Sequence, residues 1–325
     1  MDFALIHLGA GKHNEKNRDH YRSLCFRALK RKKTKNTAGN VNPYNYIEKR
    51  QSFEELLSVM NNMAHVLESS PLTNTGRGAS VNCEGKVLCD ASIILLESKI
   101  LHSSCCEITT PFPISVIIDN FKDQLNPRHD HILSPLATVY HKSSRPPLIT
   151  NSNQDHDISD TIGISLLNNS ISLTASSSGG NLFKPVGRIG PAGIIGSAIY
   201  SDYNDCYRVS IMCTGSGEDI ISMDLARSVC NCLLANMTEH AFASELMSNH
   251  IEKCASKCHL RSEYGLYVGV VGWMLDAHSR ELRVIYAHST ESLVFAYFDS
   301  HLKFYFSTND KVGKLLHGEF KCSRL

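Results

Sequence analysis

The chain has 325 residues, a formal net charge of +1, and 42% hydrophobic against 20% charged residues. This balance excludes a disordered chain and gives no case for nucleic acid as a partner. No apolar run reaches the roughly 18 residues of a membrane span, so no membrane partner is expected.

Met1 to Ile6 has neither a basic start nor a long apolar segment. No secretory signal is therefore expected, and the expected location is the cytoplasm, the nucleus or both. The twelve cysteines show no paired CxxC spacing and are read as free intracellular thiols. Cys254 and Cys258, with His250 and His259 nearby, also suit a metal clip. The incidental reading is preferred, and no metal or cofactor is expected.

In chain order, Phe3 to Ile6 reads as a buried strand running into a glycine turn, His7-Leu8-Gly9-Ala10-Gly11. A polar helix follows from about Asn14 to Lys33. Its basic end, Lys30 to Lys35, is read as a solvated helix terminus, with nuclear import as the alternative. Ser52 to Leu67 places Phe53, Leu56, Leu57, Met60, Met63 and Ala64 at helical spacing. Ser69 to Gly78 is turn-rich, with strands expected near Ser80–Asn82 and Lys86–Leu95 and a helix over Pro113–Phe121. The polar, proline-bearing segment from Asn126 to Ser159 is the best linker in the chain. Two strands around an Asn/Ser turn then predict a hairpin from Thr161 to about Ala175.

Strands are expected over Ile194–Tyr200 and Tyr207–Cys213, then a long helical stretch from about Glu218 to Ser256. Four further strands are expected, Leu266–Leu275, Leu282–Ala287, Leu293–Phe298 and Leu302–Phe306. The order implies packed sheets with helices outside, an α+β layered architecture.

Asp160-Thr161 opens the hairpin directly after the linker. A β-branched residue commonly starts a strand. It also has a chemical use: a threonine hydroxyl is a weak nucleophile that needs a base. Cutting the Asp160–Thr161 bond places the α-amine, with an ordinary pKa of about 7.7–8, beside that hydroxyl. Attack on a carbonyl then requires donors for an oxyanion. Thr214-Gly215-Ser216-Gly217, at a strand end before a helix, offers backbone N–H groups, and Asn74 offers a side-chain amide. Arg188, between Gly187 and Gly190, suits a carboxylate.

Seven segments in order resemble the type 2 asparaginases, which are N-terminal nucleophile (Ntn) hydrolases: His7 to Gly11, Ser70 to Gly78, Cys89 to Ile93, Asp160 to Gly163, Ser177 to Gly180, Gly187 to Gly190 and Thr214 to Glu218. Asp-Thr at the cleavage point, Ser-Ser-Gly-Gly, and His288-Ser289-Thr290-Glu291-Ser292 resemble the threonine aspartase (taspase) branch. The resemblance implies a four-layer αββα sandwich that is autocleaved between Asp160 and Thr161. Residues 1–160, with a flexible tail over about 143–160, and residues 161–325 would be the two subunits of one domain, with further pairing of such subunits left open.

The resemblance further implies a threonine endopeptidase that cuts protein substrates after aspartate. Thr161 would be the nucleophile and Ser178 the second hydroxyl. Asn74, Thr214 and Gly215 would complete the catalytic set, and Arg188, Gly9 and Gly217 would bind substrate. Pro191 stands where asparaginases carry the aspartate that holds a free amino-acid amine. This disfavours the alternative activity, an L-asparaginase or isoaspartyl peptidase. A catalytically degenerate scaffold of the same fold is the reading from another class.

Overall fold

Alternation along each strand decides which layer a side chain enters. In β1 (Phe3–Gly11), Ala4, Ile6 and Leu8 enter one core while Phe3, Leu5 and Ala10 enter another. A strand buried on both faces needs cover on both sides, and the remaining elements supply it. The computed structural model describes residues 2–30, 53–124, 138–140 (backbone), 161–168, 171–238, 241–322 and 324. Most of the expected linker, Asp160 and Arg31 to Lys35 lie outside the described residues.

After β1 come β2 (Cys89–Leu96), β3 (Ile100–Ile108), β4 (Thr138–Tyr140), β5 (Ile162–Asn168), β6 (Ile171–Ser178), β7 (Ile199–Tyr203) and β8 (Tyr207–Gly215). The C-terminal strands are β9 (Val268–Asp276), β10 (Leu282–His288), β11 (Ser292–Phe298), β12 (Leu302–Thr308) and β13 (Leu316–Lys321). The helices are α1 (Arg18–Leu29), α2 (Phe53–Glu68), α3 (Pro113–Gln124), α4 (Gly217–Ser222), α5 (Leu225–Asn236) and α6 (Ala243–Ala255).

One sheet has the order β12-β11-β1-β5-β6-β2-β3-β4 and the other β13-β10-β9-β8-β7. Strands from both sides of the 160/161 junction thus share the larger sheet. Helices α1, α2 and α3 cover its outer face through Leu24, Leu56, Met60 and Ile117. The outer face of the smaller sheet packs on α4, α5 and α6 through Ile220, Val229 and Met247. Phe3, Leu5, Trp273 and Phe295 fill the space between the sheets. The molecule is the expected α+β sandwich of four layers, αββα.

The middle of the inter-sheet layer is polar. Ser165 and Thr174 of the larger sheet meet Ser210 and Ser201 of the smaller one, with hydroxyl separations from 2.7 to 3.4 Å. Trp273 Nε1 donates to Ser165 Oγ at 2.8 Å. Buried hydroxyls must be paired, so this cluster fixes how the sheets slide against each other. Gly163, the next inward position of β5, has no Cβ because the His7 ring fills that place and Met212 Sδ lies 2.8 Å from where the Cβ would be.

Several expectations are corrected. The glycine segment His7 to Gly11 is not a turn but the second half of β1, with a bulge against β11 between His7 and Gly9. The expected strand at Ile194–Tyr200 starts later, at Ile199, because a 3-10 turn over Pro191–Gly193 is followed by a second turn, in which the Ser197 N–H donates to Ile194 O at 3.1 Å. The long helical stretch is three helices. Asp224, at φ 44°, breaks it before α5, and extended backbone at Met237 ends that helix. The strands β3, β4 and β13 were not anticipated, and β4 lies within the expected linker, where it pairs with β3. Among the described residues no helix is long and apolar enough to cross a membrane.

Gly163→Ala places a methyl into the His7 ring and against Met212. Overpacking of this kind costs about 1–3 kcal/mol. Urea denaturation of the variant should show that loss of stability, with an unchanged slope.

Candidate active site

Two registers set the neighbours of Thr161. Ile162 pairs with Ser177 across the hairpin, so Thr161 comes level with Ser178 at its open end. His7 pairs with Gly163 on the other side, so continuing β1 brings Gly9 to the level of Thr161. Thr161, Gly163 and Ser165 share the inward face of β5. Ser165 meets Ser210, and Gly163 meets Met212. The next step along both strands sets Thr161 toward Thr214. The Ala10 N–H, just past Gly9, donates to Thr214 Oγ1 at 3.3 Å, which ties β1 to β8 at this end. Thr161, Ser178 and Thr214 are all buried.

Gly215 ends β8 at φ +117°, where a Cβ would lie 2.5 Å from Tyr267 O. Only glycine takes that conformation without strain. The turn leads through Ser216 into Gly217, where α4 begins.

Asn74 lies on the other side of Ser178. Its Nδ2 donates to Gly180 O (2.8 Å), its Oδ1 accepts from the Ser80 N–H (2.8 Å), and its carbonyl accepts from the Gly179 N–H (2.7 Å). The side chain thus clamps the end of β6, and one of its two amide hydrogens is committed to protein. Ser178 Oγ accepts from the Gly180 N–H at 3.1 Å.

The Arg188 guanidinium lies among three glycines that leave it room. A Cβ at Gly180 would be 2.7 Å from Nη1, at Gly190 2.9 Å from Nη1, and at Gly217 2.7 Å from Nη2. Nε and Nη2 both donate to Glu218 Oε1, at 3.0 and 2.7 Å. Nη1 is buried with no hydrogen-bond partner among the described residues. Partial burial pulls the Glu218 carboxyl up, but its bond and charge pairing with Arg188 outweigh this and hold it below the usual carboxylate range. The arginine therefore keeps one donor unspent, aimed into the space by Gly180 and Gly190.

Asp90 braces this loop. It pairs with Ser178 in the sheet register, Oδ2 accepts from the Gly190 N–H (2.7 Å), and Oδ1 accepts from the Glu107 N–H (3.2 Å). Lys184 Nζ donates to Leu88 O at 2.8 Å and lies 4.0 Å from Asp90 Oδ2. Burial pulls the Asp90 carboxyl up despite that cation. The positions were visible in the sequence, but their bracing role was not, because it depends on a contact spanning 100 residues. Pro191 packs against the Gly217 position, 3.0 Å from where its Cβ would stand, and offers no charge there.

An open cleft of ≈ 560 Å³ adjoins the arginine, lined by Asn181, Ser216, Glu218, Ser222 and Arg261. Phe183, Val186 and Ile189, on the loop that carries Arg188, are exposed. His7 is fully buried beside β5, and burial alone pushes its imidazole down to about 3, so it is neutral. The Cys254 and Cys258 segment holds a Cys254 Sγ to His250 Nε2 contact of 3.4 Å. Among the described residues no set of three His, Cys, Asp or Glu side chains converges on a metal position.

Residues 122–259 match the family model Asparaginase_2, described as asparaginase. A relative from Xenopus laevis, described as an isoaspartyl peptidase/L-asparaginase, is 25% identical over 254 residues, 69% of this chain and 74% of that protein. A solved structure of the PP2C phosphatase domain and a fragment of the regulatory domain of SpoIIE from Bacillus subtilis is 11% identical, with a TM-score of 0.28. It covers 50% of this chain, which spans about half (51%) of that one, and it carries no argument. The matched segment contains Thr161, Ser178, Arg188, Thr214 and Gly215. The matched segment is less than half of the chain, and the observed architecture is the four-layer αββα sandwich of the Ntn-hydrolase type.

Proposed function

We propose that the chain is a threonine amidohydrolase that recognises an aspartyl carboxylate and cleaves the amide or peptide bond beside it. The observation that carries this reading is the buried, unspent Nη1 of Arg188, two glycines away from Ser178 and on the Thr161 side of the sandwich. A buried arginine donor without a partner costs free energy that a bound carboxylate recovers.

In this reading the Asp160–Thr161 bond is the first substrate. Its hydrolysis frees the Thr161 α-amine, which removes the proton from Oγ1 as that oxygen attacks the carbonyl carbon. The tetrahedral oxyanion takes hydrogen bonds from the strand-end backbone at Gly215 and from the remaining Asn74 amide hydrogen. The amine then protonates the leaving nitrogen, and water resolves the ester on Thr161. Ser178 orients the nucleophile. Gly9 and Gly217 leave the backbone close enough for substrate to sit between β1 and Arg188.

The similarity to the frog protein supports an asparaginase or isoaspartyl peptidase at least as well as an endopeptidase. Pro191 favours the endopeptidase, a taspase-like cut after aspartate in a protein. A free amino acid brings an α-ammonium that wants an anion, and the proline side chain gives none. The open cleft and the exposed Phe183, Val186 and Ile189 also suit a polypeptide.

Three measurements separate these readings. On a denaturing gel the purified chain should resolve into two fragments of near-equal length, the second beginning at Thr161 by N-terminal sequencing. A chain that stays intact on long incubation favours the scaffold. Arg188→Ala should lower kcat/KM on an Asp-containing peptide by about 10- to 100-fold, the loss of a charge-assisted bond of about 1.5–3 kcal/mol. Unchanged cleavage removes Arg188 from recognition. Free asparagine should release no ammonia, and steady release selects the asparaginase.

A further inference from the structure

Glu68 ends α2 at a position that continues the buried face of Met60 and Ala64. Its side chain is fully buried. Oε1 accepts from the Ile114 N–H in the first turn of α3 (2.9 Å) and from Ser177 Oγ in β6 (3.0 Å). Ser177 Oγ lies 2.8 Å from Thr75 Oγ1. Oε2 is buried with no hydrogen-bond partner among the described residues. Gly76 packs on the same residue, since a Cβ there would stand 2.9 Å from Glu68 Cβ.

Neighbouring residues of a strand face opposite sides. Ser177 therefore points to the helices and Glu68, while Ser178 points between the sheets to the Thr161 site. Thr75 likewise adjoins Asn74, whose side-chain amide donates to Gly180 O and whose main-chain carbonyl accepts from the Gly179 N–H. One carboxyl thus joins two helices, the end of the Ser178 strand and the Asn74 loop.

We propose that Glu68 is a positioning residue, holding the Ser178 strand end and the Asn74 loop in place behind the Thr161 site. The proposal rests on the threonine chemistry above.

Burial pushes the Glu68 carboxyl up to about 8, against the lowering effect of its bonds from Ile114 and Ser177. Ile114, Ser177 and Thr75, which face it from α3, β6 and the loop, bring no charge. Cys89, which faces it from β2, is itself pushed by burial to about 12 and stays a neutral thiol. At neutral pH Glu68 is therefore protonated, and its ionisation leaves a buried charge with an unpaired oxygen. The sign follows. The folded chain keeps a proton that the unfolded chain loses near 4.5. The stability this group contributes is full below that value and is lost as pH rises toward about 8.

The test compares wild type, Glu68→Gln and Glu68→Ala. It follows hydrogen exchange of the segments around 73–80 and 177–182, and kcat and KM against pH on an aspartyl anilide peptide. Wild-type kcat should fall on the alkaline side with an apparent pKa near about 8. Glu68→Gln should keep the neutral-pH kcat and slow exchange but lose that alkaline limb. Glu68→Ala should speed exchange in both segments and lower kcat about 10-fold with KM changed by less than about twofold. Wild-type exchange in both segments of Glu68→Ala, or an alkaline limb that survives in Glu68→Gln, overturns the proposal. If wild type hydrolyses no aspartyl substrate, the functional reading fails while hydrogen exchange still decides the role of Glu68.

Discussion

The register of the two sheets against each other is the constraint on which the site depends. Thr161 lies at one end of the larger sheet and Thr214 at one end of the smaller. Their relative position is set by how the two sheets stack. The hydroxyl cluster of Ser165, Thr174, Ser201 and Ser210, pinned by Trp273, allows one relative position in which its polar atoms are paired. Apolar side chains alone tolerate sliding, because hydrophobic burial is not directional. Buried hydrogen bonds do not, because each unmade one costs about 1–3 kcal/mol. Gly163 then lets the layers close at Met212, one step along the strands before Thr161 and Thr214.

Charge is built around that space asymmetrically. Arg188 spends two nitrogens on Glu218 and holds the third in reserve. Asp90 and Lys184 hold the loop beneath it but direct their polar atoms to backbone groups. A buried ion pair of this kind contributes little net stability, since desolvation offsets attraction. Its effect is geometric, fixing Gly190 and hence the approach of the guanidinium. Glu68 does the equivalent on the helix side of β6 with a neutral carboxyl.

Much of this was legible in the sequence. The alternation of Ile162, Ile164 and Leu166 against Gly163 and Ser165 announced a strand with two different faces. Arg188 between Gly187 and Gly190 stood out as suited to a carboxylate, and Thr214 to Gly217 as a strand end before a helix. Other features were hidden for physical reasons. The His7 to Gly11 segment looked like a turn because glycine is a turn signal, yet here it makes a bulge inside a strand. The strand β13 lies in a polar stretch, Leu316-His317-Gly318-Glu319-Phe320-Lys321, whose extended form is imposed by pairing with β10. The break at Asp224 depends on a left-handed residue that helical periodicity does not register. Glu68 left one trace, a charge at an apolar-face position of α2. Its partners, 46 and 109 residues away, could only come from the fold.

The central claim is that one residue, Thr161, presents a hydroxyl and a free α-amine together to a carboxylate-bearing substrate. A peptide epoxyketone ending in aspartate tests this directly, because its ring-forming adduct needs both groups on the same residue. The account predicts one adduct per chain, mapped by peptide mass spectrometry to a fragment that begins at Thr161. An adduct elsewhere, or none from protein whose chain remains uncut, would contradict it.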